Sequence, residues 1–148
     1  MILIRTILVA VDDTAAALAG ARFAVDLAAS CGATIHALAV SAQTQSPEPD
    51  EGIGGTERTA SAVLDYVVRL SRQAGIRAET AVKRGEPAAR ILAYAREVKA
   101  DIVVLGRSGL AGLGQPYIGT QTRHVLEFTE WPVVVVPADR PQDGAKVG

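Results

Sequence analysis

Apolar residues along this chain come in two rhythms: short unbroken runs, and longer stretches in which they recur every third or fourth position. Residues 6–12, Thr-Ile-Leu-Val-Ala-Val-Asp, form an unbroken run ending in a carboxylate, the pattern of a buried parallel strand. Residues 14–30 carry Leu18, Ala21, Val25 and Ala28 at helical spacing, and Gly32 supplies the stop. Thr34 to Val40 is a second strand. Residues 41–55 are rich in Pro, Gly, Ser, Gln and acids without periodicity, which predicts a mobile flap rather than a domain linker. A second helix follows, with Val63, Val67, Leu70 and Ala74 on one stripe and Gly75 closing it. Arg77 to Lys83 alternates polar and apolar, so it reads as a strand with one wet side. Gly85-Glu86-Pro87 opens a third helix, with Pro87 suited to its first turn and Ile91, Leu92, Ala95 and Val98 on its buried face. Ile102 to Leu105 is a fourth strand. Val125, Leu126 and Phe128 belong to a fourth helix, and Val133 to Val136 make a fifth strand.

The order βαβαβαβαβ demands a parallel sheet with right-handed crossovers and helices on both faces. The expected fold is a single-domain α/β sandwich, Rossmann-like or flavodoxin-like, with five parallel strands in the order 3-2-1-4-5 and four helices. The domain is expected over residues 1–138, with 139–148 a frayed, disordered tail. In such a sheet, ligands bind beyond the strand C-termini where the order reverses, between strands one and four. Asp12 and Gly106 both fall at that crevice. The third and fifth strands are the edges. The third is weakly apolar, but the fifth reads Val-Val-Val-Val, and an exposed apolar edge is an aggregation hazard. Helices covering both faces explain the valines but leave the backbone edge open. Pairing with a second copy through Val133–Val136 resolves both, so a homodimer is expected.

Composition changes this picture little. At 148 residues the chain is long enough to bury about 70% of its unfolded surface, and with 4% aromatics the core must be built from Val, Ile, Leu and Ala. Fifteen Lys plus Arg against sixteen Asp plus Glu gives a net charge of −1, with no basic excess for nucleic acid and no polybasic run for a membrane surface. The opening apolar residues lack a basic leader, are interrupted by Arg5 and run into Asp12-Asp13 without a cleavage site. No apolar run approaches the ~20 residues that span a bilayer. The lone Cys31 excludes an internal disulfide and fits a reducing compartment, so a soluble cytoplasmic protein is expected.

The candidate chemistry lies between the fourth strand and the fourth helix. Gly106, Gly109, Gly119 and Thr120 fall as G-x2-G-x9-G-[ST]. Glycine backbone can close on an anion, and a helix N-terminus adds unpaired N–H groups and the positive end of a dipole, so the context suits phosphate. A Cβ at Gly119 would fill the space the ligand needs and disfavour the local backbone angles. The Thr120 hydroxyl is expected to cap the helix as well as touch phosphate.

This signature resembles the ATP-binding pattern of the universal stress protein family. Val11-Asp12-Asp13-Thr14 stands where that family has V-D-x-S, and Ala39-Val40 ends the second strand. Gly85-Glu86-Pro87-Ala88-Ala89-Arg90-Ile91 matches G-x-P-A-x-x-I, Ala100 to Gly106 matches A-D-[IL]-[IV]-V-[LM]-G, and Pro132 to Val136 closes the pattern. The resemblance covers residues 4–137. It implies an ATP-class ligand, with Mg²⁺ as a candidate companion, in a stress-response regulatory protein. Asp12 would face ribose or adenine, and main-chain groups of Ala10 and Val40 would meet the adenine edge. Gly106, Gly109, Gly119 and Thr120 would hold the phosphates, with Arg107 and Gln121 as neighbours. Without the resemblance, Asp12 reads equally as a cap on the first helix. Many nucleotide-binding members carry a basic residue midway through the loop, where this chain has Gly114-Gln115-Pro116-Tyr117. Glu48, Asp50 and Glu51 in the flap would repel phosphates unless a divalent cation bridges them.

Nothing in the sequence looks built for turnover. His36 lies within a strand, His124 has no paired acid in sequence, and Cys31 reads as a packing residue. There is no P-loop, no nucleophile elbow and no metal-ligand spacing. Two rivals to an ATP-binding regulator remain: a nucleotide-free interaction module of the same family, and a small α/β enzyme with weak nucleotide hydrolysis.

Overall fold

The computed structural model describes residues 1–41, 53–107 and 118–138. Nine elements follow one another as β1 (Thr6–Ala10), α1 (Ala15–Cys31), β2 (Thr34–Ser41), α2 (Ile53–Gln73), β3 (Ala78–Arg84), α3 (Pro87–Val98), β4 (Ile102–Gly106), α4 (Thr120–Phe128) and β5 (Val133–Val136). The strands form one sheet in the order β3-β2-β1-β4-β5, all neighbours parallel, as the pattern predicted. Helix α2 begins at Ile53, inside the stretch read as a flap. The rest of that flap and the tail from 139 lie outside the described residues.

Strand alternation divides the core into two layers. Ile7, Val9, Ile35, Ala37 and Val104 face α1 and α2, where Ala21, Ala24, Val25, Ala28, Val63 and Val67 meet them. Leu8, Leu38, Val103 and Leu105 face the other way, onto Ile91 and Ala95 of α3 and Val125 of α4. Leu8 and Leu38 are fully buried, so truncating either to Ala would cost about 2–5 kcal/mol. The Asp101 carboxylate accepts from the N–H groups of Arg5 and Thr6 at 2.9 and 3.0 Å, which fastens the start of β1 to the loop before β4.

The helices end as their sequences dictate, with one surprise. Gly32 stops α1 in the left-handed conformation (φ 72°) and donates its N–H to Ala28 O. Lys99 stops α3 in the same conformation (φ 56°), a position no glycine marks in the sequence. At the sheet edges, β3 mixes exposed and half-buried residues, whereas all four valines of β5 are half-buried. Cys31 is exposed at the last turn of α1, which corrects its reading as a packing residue. The helix stripe ends at Ala28, and Cys31 falls off the buried face.

Candidate functional site

The C-terminal ends of β1 and β4 diverge at the reversal of strand order, and a cavity of about 160 Å³ opens there. Its walls are Ala10 at the end of β1, Val11, Asp12 and Thr14 after it, Ala17 of α1, Leu38 and Val40 of β2, Pro87 and Ile91 of α3, Leu105 and Gly106 of β4, and Gln121 and Thr122 of α4. Of the residues singled out in the sequence, Ala10, Asp12, Val40, Gly106 and Gln121 meet at this cavity. Gly119 and Thr120 stand immediately before Gln121. Gly109 and the segment Gly114–Tyr117 lie outside the described residues, as do Glu48, Asp50 and Glu51.

Asp12 is exposed and does not cap α1. Its Oδ1 accepts from the N–H of Thr14 at 2.8 Å and from the Thr14 hydroxyl at 2.6 Å. Thr14 is the cap, its Oγ1 accepting from Ala17 N at 3.1 Å. The division of labour leaves Asp12 Oδ2 without a partner among the described residues, beside the cavity. Asp12 is also the one carboxylate among the described residues that line the cavity. Among the described residues, no group of three or more His, Cys, Asp or Glu could hold a metal by itself.

Gly106 has a packing reason that the motif does not express. A Cβ there would run into the Ala16 carbonyl and come within 2.6 Å of Ala17 N, so only glycine lets β4 end against the first turn of α1. Gly20 completes the close approach, its own missing Cβ lying 3.4 Å from Gly106 N. Arg107 is half-buried, and its N–H extends the ladder to Val136 O at 2.7 Å.

At α4 two expectations are corrected. Gly119 is the N-cap, buried, with φ −66° and ψ 162°, an extended conformation open to any residue. Thr120 is exposed in the first helical position, and among the described residues no side chain caps this helix. The hydroxyl that matters structurally is that of Thr122, which is buried and donates to Gly106 O at 3.1 Å. The sequence held a signal for it, a hydroxyl one helical turn before the buried Val125, but the glycine motif drew attention to Thr120. Gln121 Oε1 accepts from Ala88 N of α3 at 3.0 Å. That helix is itself closed by Glu86, whose two oxygens take the N–H groups of Ala88 (3.3 Å) and Ala89 (2.7 Å).

The two histidines sit elsewhere. His124 Nδ1 lies 3.9 Å from Glu86 Oε1, an acid that sequence proximity could not reveal. His36 Nε2 is 3.5 Å from Glu79 on β3, its ring meets Tyr94 edge-on at 6.2 Å, and its Nδ1 is buried without a hydrogen-bond partner among the described residues. Burial, reinforced by Glu97 and Glu79, pushes the Tyr94 phenol above its ordinary pKa. No helix among the described residues is long and apolar enough to cross a membrane.

Comparison with known proteins agrees with this architecture. A relative from Methanocaldococcus jannaschii, universal stress protein MJ0531, is 26% identical over 140 residues, 90% of this chain and 82% of that protein. Universal stress protein YxiE of Bacillus subtilis is 31% identical over 74 residues, half of each chain, so the match spans about half the length of this relative. A universal stress protein structure from Archaeoglobus fulgidus superposes with TM-score 0.73 at 25% identity, covering 91% of this chain and 99% of the other. The structure of an Arabidopsis thaliana family protein with AMP bound superposes with TM-score 0.71 at 19% identity, covering 95% and 98%. Further universal stress protein structures of this fold carry cAMP or dAMP. The sequence profile of the Universal stress protein family matches residues 3–137, and the chain belongs to that family.

Proposed function

We propose that this chain is a regulatory protein that binds an adenine nucleotide of the ATP class at the β1–β4 crevice and works as a homodimer. The observation that carries the reading is the N-terminus of α4. It has no side-chain cap among the described residues, and its first turn borders the cavity that Asp12, Ala10 and Val40 also line. Unpaired N–H groups at the positive end of a helix dipole favour phosphate. Asp12 Oδ2 accepts from ribose hydroxyls, main-chain groups of Ala10 and Val40 meet the adenine edge, and Leu38, Pro87 and Ile91 supply apolar wall. The phosphates continue past Gly106 toward Gly119 and Thr120, with Arg107 nearby. The AMP, dAMP and cAMP found in structures of the same fold support the choice of adenine nucleotide.

The role is one of binding rather than turnover, in the cytoplasm, where an exposed thiol such as Cys31 stays reduced. The four half-buried valines of β5 support dimerisation at that edge. Light scattering should give a dimer at micromolar concentration and a folded monomer for Val135→Lys. A folded, dimeric variant places the interface elsewhere.

One observation favours a second reading, a nucleotide-free interaction module: Gly106 is required by packing alone, so part of the glycine motif would persist without a ligand. Mass analysis of small molecules that co-purify with the protein, followed by calorimetric titration with ATP and AMP, separates the two. A bound adenine nucleotide supports the first reading. Purified protein that takes up neither nucleotide supports the second.

A further inference from the structure

We infer that the Gln121 side chain is a specificity-determining donor that lets the site discriminate phosphorylated ligands from the bare nucleoside. The inference rests on the nucleotide reading and assigns a role to one side chain within it. A glutamine amide has one acceptor atom and one donor group, and their order is set by what they touch. Ala88 N–H is a donor, so the atom 3.0 Å from it must be the carbonyl oxygen. The NH₂ group is thereby left free of α3's N–H groups, and it has no partner among the described residues. Gln121 also lines the cavity from the second position of α4, and helical side chains lean toward the N-terminus of their own helix. The fixed amide therefore brings a free NH₂ to the cavity wall, beside a helix turn that has no side-chain cap among the described residues. A free NH₂ group suits a phosphate oxygen, and it does so without adding positive charge.

The test compares AMP with adenosine by calorimetry, in the parent protein and in two variants. Gln121→Glu keeps an acceptor for Ala88 N, hence the link between the helices, but replaces the donors with a negative charge. It should lose at least ~10-fold in AMP affinity, about 1.4 kcal/mol, while adenosine binding stays within about twofold. Gln121→Met removes donors and acceptor at similar size and should lose AMP affinity by about threefold or more, again with adenosine little changed. Equal losses for AMP and adenosine would mean that Gln121 only holds α4 against α3, and would overturn the inference. Unchanged AMP affinity in a folded Gln121→Met protein overturns it as well. Failure of the nucleotide reading shows separately, as a parent protein that binds neither compound.

Discussion

The N-termini of α3 and α4 stand beside one cavity and are finished in opposite ways. At α3, Pro87 occupies the first turn and Glu86 takes two N–H groups, while Gln121 reaches across to share one of them. At α4 the cap is Gly119, which brings no side chain, and the next residue, Thr120, points no hydroxyl back onto the backbone. Both helices feed the same buried layer through Ile91, Ala95 and Val125, so packing does not explain the difference. A helix end left without its own anion is a place for someone else's. The closed end stabilises the fold; the open end is where the proposed function puts the ligand phosphate. Each end can be altered separately, and the size of the response should follow this division.

The largest effect is expected at the pivot beneath both ends. Gly106 packs on the backbone of Ala16 and Ala17, and its carbonyl receives the Thr122 hydroxyl that holds α4 in place. Gly106→Val should cost about 3 kcal/mol or leave the protein unfolded, because the colliding atoms are backbone and cannot rotate away. Urea denaturation measures this. A Gly106→Val protein of near-parental stability would show that the approach relaxes cheaply, and the glycine would then be there for ligand. Thr122→Val comes next. It keeps the shape but strips the hydrogen bond from Gly106 O, for a loss of about 1–2 kcal/mol in the same assay.

Glu86→Ala probes the closed end. Losing an N-cap costs about 1 kcal/mol, and the exposure of Glu86 places it at the modest end of that effect. Affinity for ATP should remain within about twofold, since Glu86 does not line the cavity. A large loss of affinity with little loss of stability would reverse the roles assigned to the two helices.

How much of this was legible in the sequence differs between the two ends for a physical reason. Glu86-Pro87 is a local signal: cap and capped N–H groups lie within three residues, and the helix start was read correctly. The sheet order followed from strand hydrophobicity and the parallel connections, again local patterns combined with general topology. At the α4 end the sequence pattern does not show which hydroxyl is structural. Thr120 is the hydroxyl that the motif highlights, yet Thr122 is the buried one, because its partner, Gly106 O, lies on another element. Asp12 stays open between cap and ligand contact in the sequence for the same cause. Only the fold shows that Thr14 caps α1 while Asp12 holds Thr14. The Gly106–Ala16 approach, the Gln121–Ala88 bond and the His124–Glu86 proximity are all tertiary, and no spacing announces them.

The smallest change in stability is expected from Thr120→Ala, and it is the sharpest test of the open end. Thr120 is exposed and caps nothing, so alanine, a better helix former, should alter the unfolding free energy by less than about 0.5 kcal/mol. If the α4 end is reserved for phosphate, the same substitution removes a hydroxyl donor from the ligand and should weaken ATP binding by about threefold to tenfold, with adenosine unaffected. Stability and affinity would then separate cleanly at one residue, the opposite of Glu86→Ala. A stability loss near 1 kcal/mol would mean that the hydroxyl caps the helix in solution after all. Unchanged stability together with unchanged ATP affinity would mean that the exposed hydroxyl serves neither purpose, and phosphate recognition would rest on the backbone of α4 and on Gln121.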